Sequence, residues 1–158
     1  MSELAPEVLT GGGLFAPDEI EQQVATRLDR QGLLTRDRPP LLTAVIDEHV
    51  LRRSVGGSGV MREQIQHLVK LGSALPRVRI QIVPSAAGAY VGLGGPFVIA
   101  TSRQGEDLVY LAGQRHGQVI DRAEYVRQMA EVWESIRGEA LSHRQSLDLL
   151  AEVAETWI

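Results

Sequence analysis

Acid–base, metal and nucleophilic chemistry need particular side chains at particular spacings, and the 158-residue chain offers few of them. Cysteine is absent, which removes thiol nucleophiles, disulfides, iron–sulfur clusters and cysteine-ligated zinc. The histidines are His49, His67, His116 and His143, and none has the two-histidine spacing of a zincin. Glu63 and His67 stand four apart, so a helix would put them on one face, yet two ligands fall short of a zinc site. Asp47-Glu48-His49 offers two carboxylates and an imidazole for general acid–base work, but a polar helical turn collects the same residues, and that is the expectation. Serines 54, 58, 73, 85 and 102 lack the Gly-x-Ser-x-Gly elbow. Gly56-Gly57-Ser58-Gly59 precedes a helical segment as an anion-cradling loop would. The Walker lysine is missing and Gly-x-Gly-x-x-Gly is not met, so a helix-entry turn is expected. No metal and no cofactor is expected.

The most unusual stretch is Gly88-Ala89-Tyr90-Val91-Gly92-Leu93-Gly94-Gly95-Pro96-Phe97. Its glycines permit close backbone approach, and Tyr90, Leu93 and Phe97 supply apolar surface for a pocket or a structural corner. The chain has only two Trp, three Tyr and two Phe, so their clustering carries information. Tyr90, Leu93, Phe97, Tyr110, His116 and Trp133 form the candidate ligand-binding set: Tyr90, Tyr110 and His116 as polar groups, Trp133 as a wall. Trp133 also lies on a helical stripe, where plain packing accounts for it.

These residues must be positioned by short elements. A flexible lead-in is expected over residues 1–16, with Gly11-Gly12-Gly13, followed by one domain over 17–158. Pro17 opens a helix with Asp18, Glu19 and Glu21 near its positive end, an Ile20/Val24/Leu28 stripe and Gly32 as its stop. Leu41–Ile46 reads as a buried strand, and Met61, Ile65, Leu68 and Gly72 as one face of a middle helix. Val78, Ile80 and Ile82 alternate with Arg77, Arg79 and Gln81, the period of a strand. Phe97–Thr101 and Leu108–Leu111 read as a hairpin, and Gly117–Asp121 as a short further strand. Asp121 with Glu124, and Ser142 with Gln145, have capping-box spacing ahead of two C-terminal helices. Short links argue antiparallel pairing. The expected fold is α+β, a small, mainly antiparallel sheet flanked by an N-terminal helix, a middle helix and two C-terminal helices.

Composition narrows the partners. Sixteen basic against 20 acidic residues give a net charge of −4, so direct nucleic-acid binding is not expected. No stretch approaches the roughly 20 apolar residues of a membrane span, and Met1-Ser2-Glu3 lacks a signal peptide's basic and apolar blocks; a cytoplasmic site is expected. Trp157 and Ile158 close the chain with apolar surface, which would suit a homodimer.

Leu41-Leu42-Thr43-Ala44-Val45-Ile46-Asp47-Glu48, Leu51-Arg52-Arg53, Val55-Gly56-Gly57 and Val60-Met61-Arg62-Glu63-Gln64 resemble, in order, the C-terminal domain of unknown function in actinobacterial Xre-type helix-turn-helix regulators. Ile80-Gln81-Ile82-Val83-Pro84, Gly92-Leu93-Gly94-Gly95-Pro96-Phe97, Val109-Tyr110 and Ala140-Leu141-Ser142 continue the series. The resemblance implies a domain that senses an effector or a companion regulatory protein beside a DNA-binding module. Sixteen residues before the first helix are too few for that module, so DNA binding is not carried over. Leu111 to Gly117 also departs from the family, which usually has an acidic residue there. The expected function is thus a stand-alone sensor domain for an apolar small molecule or a companion protein. The alternative is a small cofactor-independent enzyme of specialised metabolism, a cyclase or isomerase that holds an apolar substrate.

Overall fold

A computed structural model describes residues 16–113 and 117–158. Pro17–Gln31 forms α1, and Gly32–Thr35 continues it as a 3-10 turn. Strand β1 (Leu42–Asp47) leads into the short helix α2 (Glu48–Arg52), then α3 (Ser58–Ala74) and β2 (Val78–Val83). After 3-10 turns at Ser85–Ala87 and Val91–Gly94 come β3 (Phe97–Thr101), β4 (Asp107–Leu111) and β5 (Gln118–Ile120). Helices α4 (Ala123–Glu139) and α5 (His143–Thr156) complete an α+β fold.

The chain divides into two compact units, one reaching Ile82 and resuming at Leu141–Ile158, the other Val83–Ala140. The strands divide likewise, with β1 paired to β2, and β3-β4-β5 forming a separate sheet. The three-stranded sheet is antiparallel throughout. The two-stranded pair differs. Leu42 N–H donates to the Arg77 carbonyl at 2.9 Å, joining the strands at their starts, so β1 and β2 run the same way. The crossover through α2 and α3 has the length a parallel connection requires.

In the first unit the alternation of β2 does what the sequence predicts: Val78, Ile80 and Ile82 are buried, and Arg79 is exposed. They pack with Leu51 of α2, Met61 and Ile65 of α3, and Leu150, Val153 and Ala154 of α5. Helix α3 lies against α5. Gly72 permits this approach, because a Cβ there would stand 2.7 Å from Leu147 Cδ2 and 3.2 Å from His143 Cε1. The turn into α3 needs Gly56 and Gly57, at φ +73° and +91°, a region open to glycine.

Helix α5 also closes the free edge of β2. Ser146, fully buried, accepts the Ile82 N–H at 2.9 Å and donates to the Ser142 carbonyl at 2.8 Å. His143 Nδ1 lies 3.1 Å from both the backbone nitrogen and the carbonyl oxygen of Ile80. Leu141 N–H donates to the Ile82 carbonyl at 2.8 Å. The Ser142/Gln145 capping box forms as expected. The Asp121/Glu124 box does not: α4 starts after Arg122, with no side-chain cap. Helix α1 has the expected acidic start but buries no residue, and Leu28 of its apolar stripe is 40% exposed. Trp157 is drawn into the first unit's core, its indole N–H donating to the Leu51 carbonyl at 3.0 Å, so of the two terminal apolar residues only Ile158 stays exposed.

Candidate functional site

The second unit is a three-stranded sheet with α4 on one side. Register fixes which side chains share a face, since directly opposite residues point the same way and neighbours along a strand alternate. Phe97 pairs with Leu111, and Ile99 with Val109, which in turn pairs with Ile120. These residues face α4, where Phe97 meets Trp133 edge to face, centroids 6.4 Å apart at 81°, and where Val109, Val126 and Ile136 are buried. The opposite face carries Val98 and Ala100 of β3, Leu108 and Tyr110 of β4, and Val119 of β5. Val98, Tyr110 and Val119 form one row across the three strands and are 54%, 36% and 63% exposed. No charged or amide side chain from these strands interrupts it.

That register separates the sequence-predicted set. Phe97 and Trp133 come together beneath the sheet, whereas Tyr110 projects from its other face. Tyr110 lies over Gly117, where a Cβ would overlap its ring. Tyr90 starts the 3-10 turn Val91–Gly94, and its ring occupies the space a Cβ on Gly92 would need. Leu93 in that turn is 63% exposed. His116 lies outside the described residues. Val98, Ala100, Leu108 and Val119, which line the open face, were not in the predicted set. Their signal is the near-continuous apolar spelling of Phe97–Thr101 and Leu108–Leu111, the pattern of strands covered on both sides rather than one.

An open cleft of about 510 Å³ lies at the end of the sheet, lined by Glu106, Asp107, Asp121, Ala123, Val126 and Arg127. It is acidic, and none of the predicted ligand-binding residues lines it. Around α2 the ionisable groups serve local structure. Asp47 Oδ1 accepts the His49 backbone N–H at 2.8 Å, capping α2, and lies 2.9 Å from His49 Nδ1. Glu48 is buried and takes Arg52 Nε and Nη2 on one oxygen at 2.9 and 2.6 Å. The polar helical turn expected for Asp47-Glu48-His49 is what forms. Burial holds the His67 imidazole below its usual 6.5, with Lys70 adding to the shift. Among the described residues no group of three or more His, Asp or Glu could hold a metal, and no helix is long and apolar enough to cross a membrane.

A family model described as Domain of unknown function (DUF5753) matches residues 3–152, nearly the whole chain. The chain belongs to that family. The DUF5753 match spans both compact units, so the open sheet face and the parallel pair both lie within it. No curated protein and no solved structure matches this DUF5753 chain.

Proposed function

We propose that this DUF5753 chain is a regulatory binding domain that holds a partner or an apolar effector and carries out no covalent chemistry. One observation carries the reading: the outer face of β3-β4-β5 is apolar at every strand position, and its central row is open. An antiparallel sheet with one solvated face ordinarily alternates apolar inside with polar outside. A sheet with two apolar faces needs a second cover, and α4 supplies only one. The resemblance to the effector half of Xre-type regulators supports the same reading, as does the use of Asp47, Glu48 and Arg52 to hold a helix.

Native mass spectrometry of the purified chain, incubated with an extract of the cells that make it, tests this. The expected result is a retained, unchanged compound or polypeptide that Val98→Glu releases. Consumption of an extract compound with release of an isomeric product would overturn the reading in favour of a cyclase or isomerase.

A further inference from the structure

We infer that the free edge of β1 docks β1 of a second copy, the two strands running antiparallel so that two strand pairs join into one sheet. This edge lies in the first unit, and its use does not depend on the binding reading above. Strand β1 has one neighbour, β2. Along a strand the main-chain N–H and C=O groups turn alternately to one side and the other. The Leu42 N–H bonds to Arg77, so Leu42, Ala44 and Ile46 turn theirs toward β2, and Thr43, Val45 and Asp47 turn theirs away. On the far side of β2 the matching groups are used by α5 and the residue before it, through His143 and Ser146 and the Leu141 N–H at Ile80 and Ile82. Among the described residues nothing closes the β1 edge in this way: no main-chain group from outside β2 bonds Thr43 or Val45. Proteins ordinarily blunt such an edge with a charge, a proline or a bulge. Leu42 to Ile46 has no charge and no proline; Pro39 and Pro40 stand before the strand, and Asp47, its one charge, ends it by capping α2.

The groups left bare are main-chain donors and acceptors, so the occupant they specify is another strand. Charge then sets its direction. A parallel second copy would lay Asp47 beside the partner's Asp47 at about 4.8 Å. Turned antiparallel with Val45 on the two-fold axis, β1 is its own complement. Val45 meets the partner's Val45, Ala44 meets the partner's Ile46, and the Thr43 hydroxyl stands opposite the partner's Asp47 carboxylate. The two Asp47 residues are then about 14 Å apart. Three hydrogen-bonded pairs in this register exchange about six N–H···O=C bonds. The contact is the same on both copies and closes on itself. A six-residue edge is smaller than the interface of a permanent pair, so this dimer is a weak one.

The test is sedimentation equilibrium of the full chain from about 10 µM to about 1 mM, with amide hydrogen exchange followed over the same range. The expected result is a concentration-dependent dimer in which exchange of the Thr43 and Val45 amides slows about tenfold between the dilute and the concentrated sample, while Ala44 and Ile46, which face β2, exchange slowly throughout. Val45→Pro removes one outward N–H and none of the bonds to β2, so it should weaken the dimer about tenfold or more with Trp157 fluorescence unchanged. A cross-link reads the same pair without removing an amide. The chain has no cysteine, so Val45→Cys can form a disulfide only with another copy, and Cα atoms about 5.5 Å apart across the two-fold are within its reach. With oxidised glutathione, Val45→Cys should dimerise about tenfold faster than Val119→Cys, which is exposed on the second unit. A monomer at every concentration would overturn the pairing. So would a dimer in which Thr43 and Val45 exchange as fast as in the monomer, or a Val45→Cys chain that cross-links no faster than Val119→Cys.

Discussion

Ser146 ties helix α5 to strand β2 in the first unit. Its hydroxyl accepts a strand N–H and donates to a helix carbonyl, and it has no access to water. Ser146→Ala leaves the Ile82 N–H buried without its partner, which costs about 1–3 kcal/mol. The urea midpoint should fall accordingly, and exchange of the Ile82 amide should accelerate more than that of amides in the second unit. His67 gives the molecule a pH response of known sign. Its folded-state affinity for a proton is below that of the unfolded chain, so the unfolded state takes up more protons as the pH falls through 6.5. This contribution is harmless above that pH and lowers stability below it. Between about pH 7.5 and about pH 5.5, His67→Gln should lose less stability than the wild-type chain.

At the scale of elements, the contact between α3 and α5 is set by the absence of a side chain at Gly72. Gly72→Val brings branched carbon against Leu147 and against His143, whose ring is held at the Ile80 backbone, and should destabilise by about 1–3 kcal/mol in urea titration. Much of this architecture is legible in the residues. The alternation at Val78–Val83, the Ser142/Gln145 box and the hairpin at Phe97–Leu111 are local patterns, and local hydrogen bonding and burial decide them. The direction of β1 against β2 was also within reach, since a strand, a 17-residue helix and a second strand spell a crossover. The division into two sheets was not, because partner choice between strands depends on contacts distant in sequence. Asp121 and Glu124 show the limit of spacing: the box residues are present, but the strand β5 runs to Ile120 and the helix begins one residue too late to use Asp121. Of the predicted ligand-binding set, Phe97 and Trp133 are in ring contact, whereas the alternation of side chains along β4 turns Tyr110 to the other face. Val98 and Val119 read as ordinary strand residues in the sequence, and only the register aligns them with Tyr110 on one face.

At the scale of the molecule, each unit has its own tryptophan, Trp133 in one and Trp157 in the other. The first unit has a nine-residue buried cluster; the second has Val109, Val126 and Ile136 beneath a sheet covered on one side. Trp133→Phe and Trp157→Phe chains therefore report on one unit each, and the fluorescence of Trp133 should change at lower urea than that of Trp157. Coincident transitions would show that the smaller core does not unfold first. The first unit is also discontinuous in the chain, with α5 arriving after the whole second unit. On a ribosome, Ile82 is made roughly 60 residues before Leu141, a wait of about 3–12 s at ordinary elongation rates. For that interval the β2 edge has neither Ser146 nor His143, and Leu51, Met61 and Ile65 lack Leu150 and Val153. The nascent chain thus presents an unprotected strand and an open apolar surface until α5 has been made, a window in which a chaperone would find its substrate.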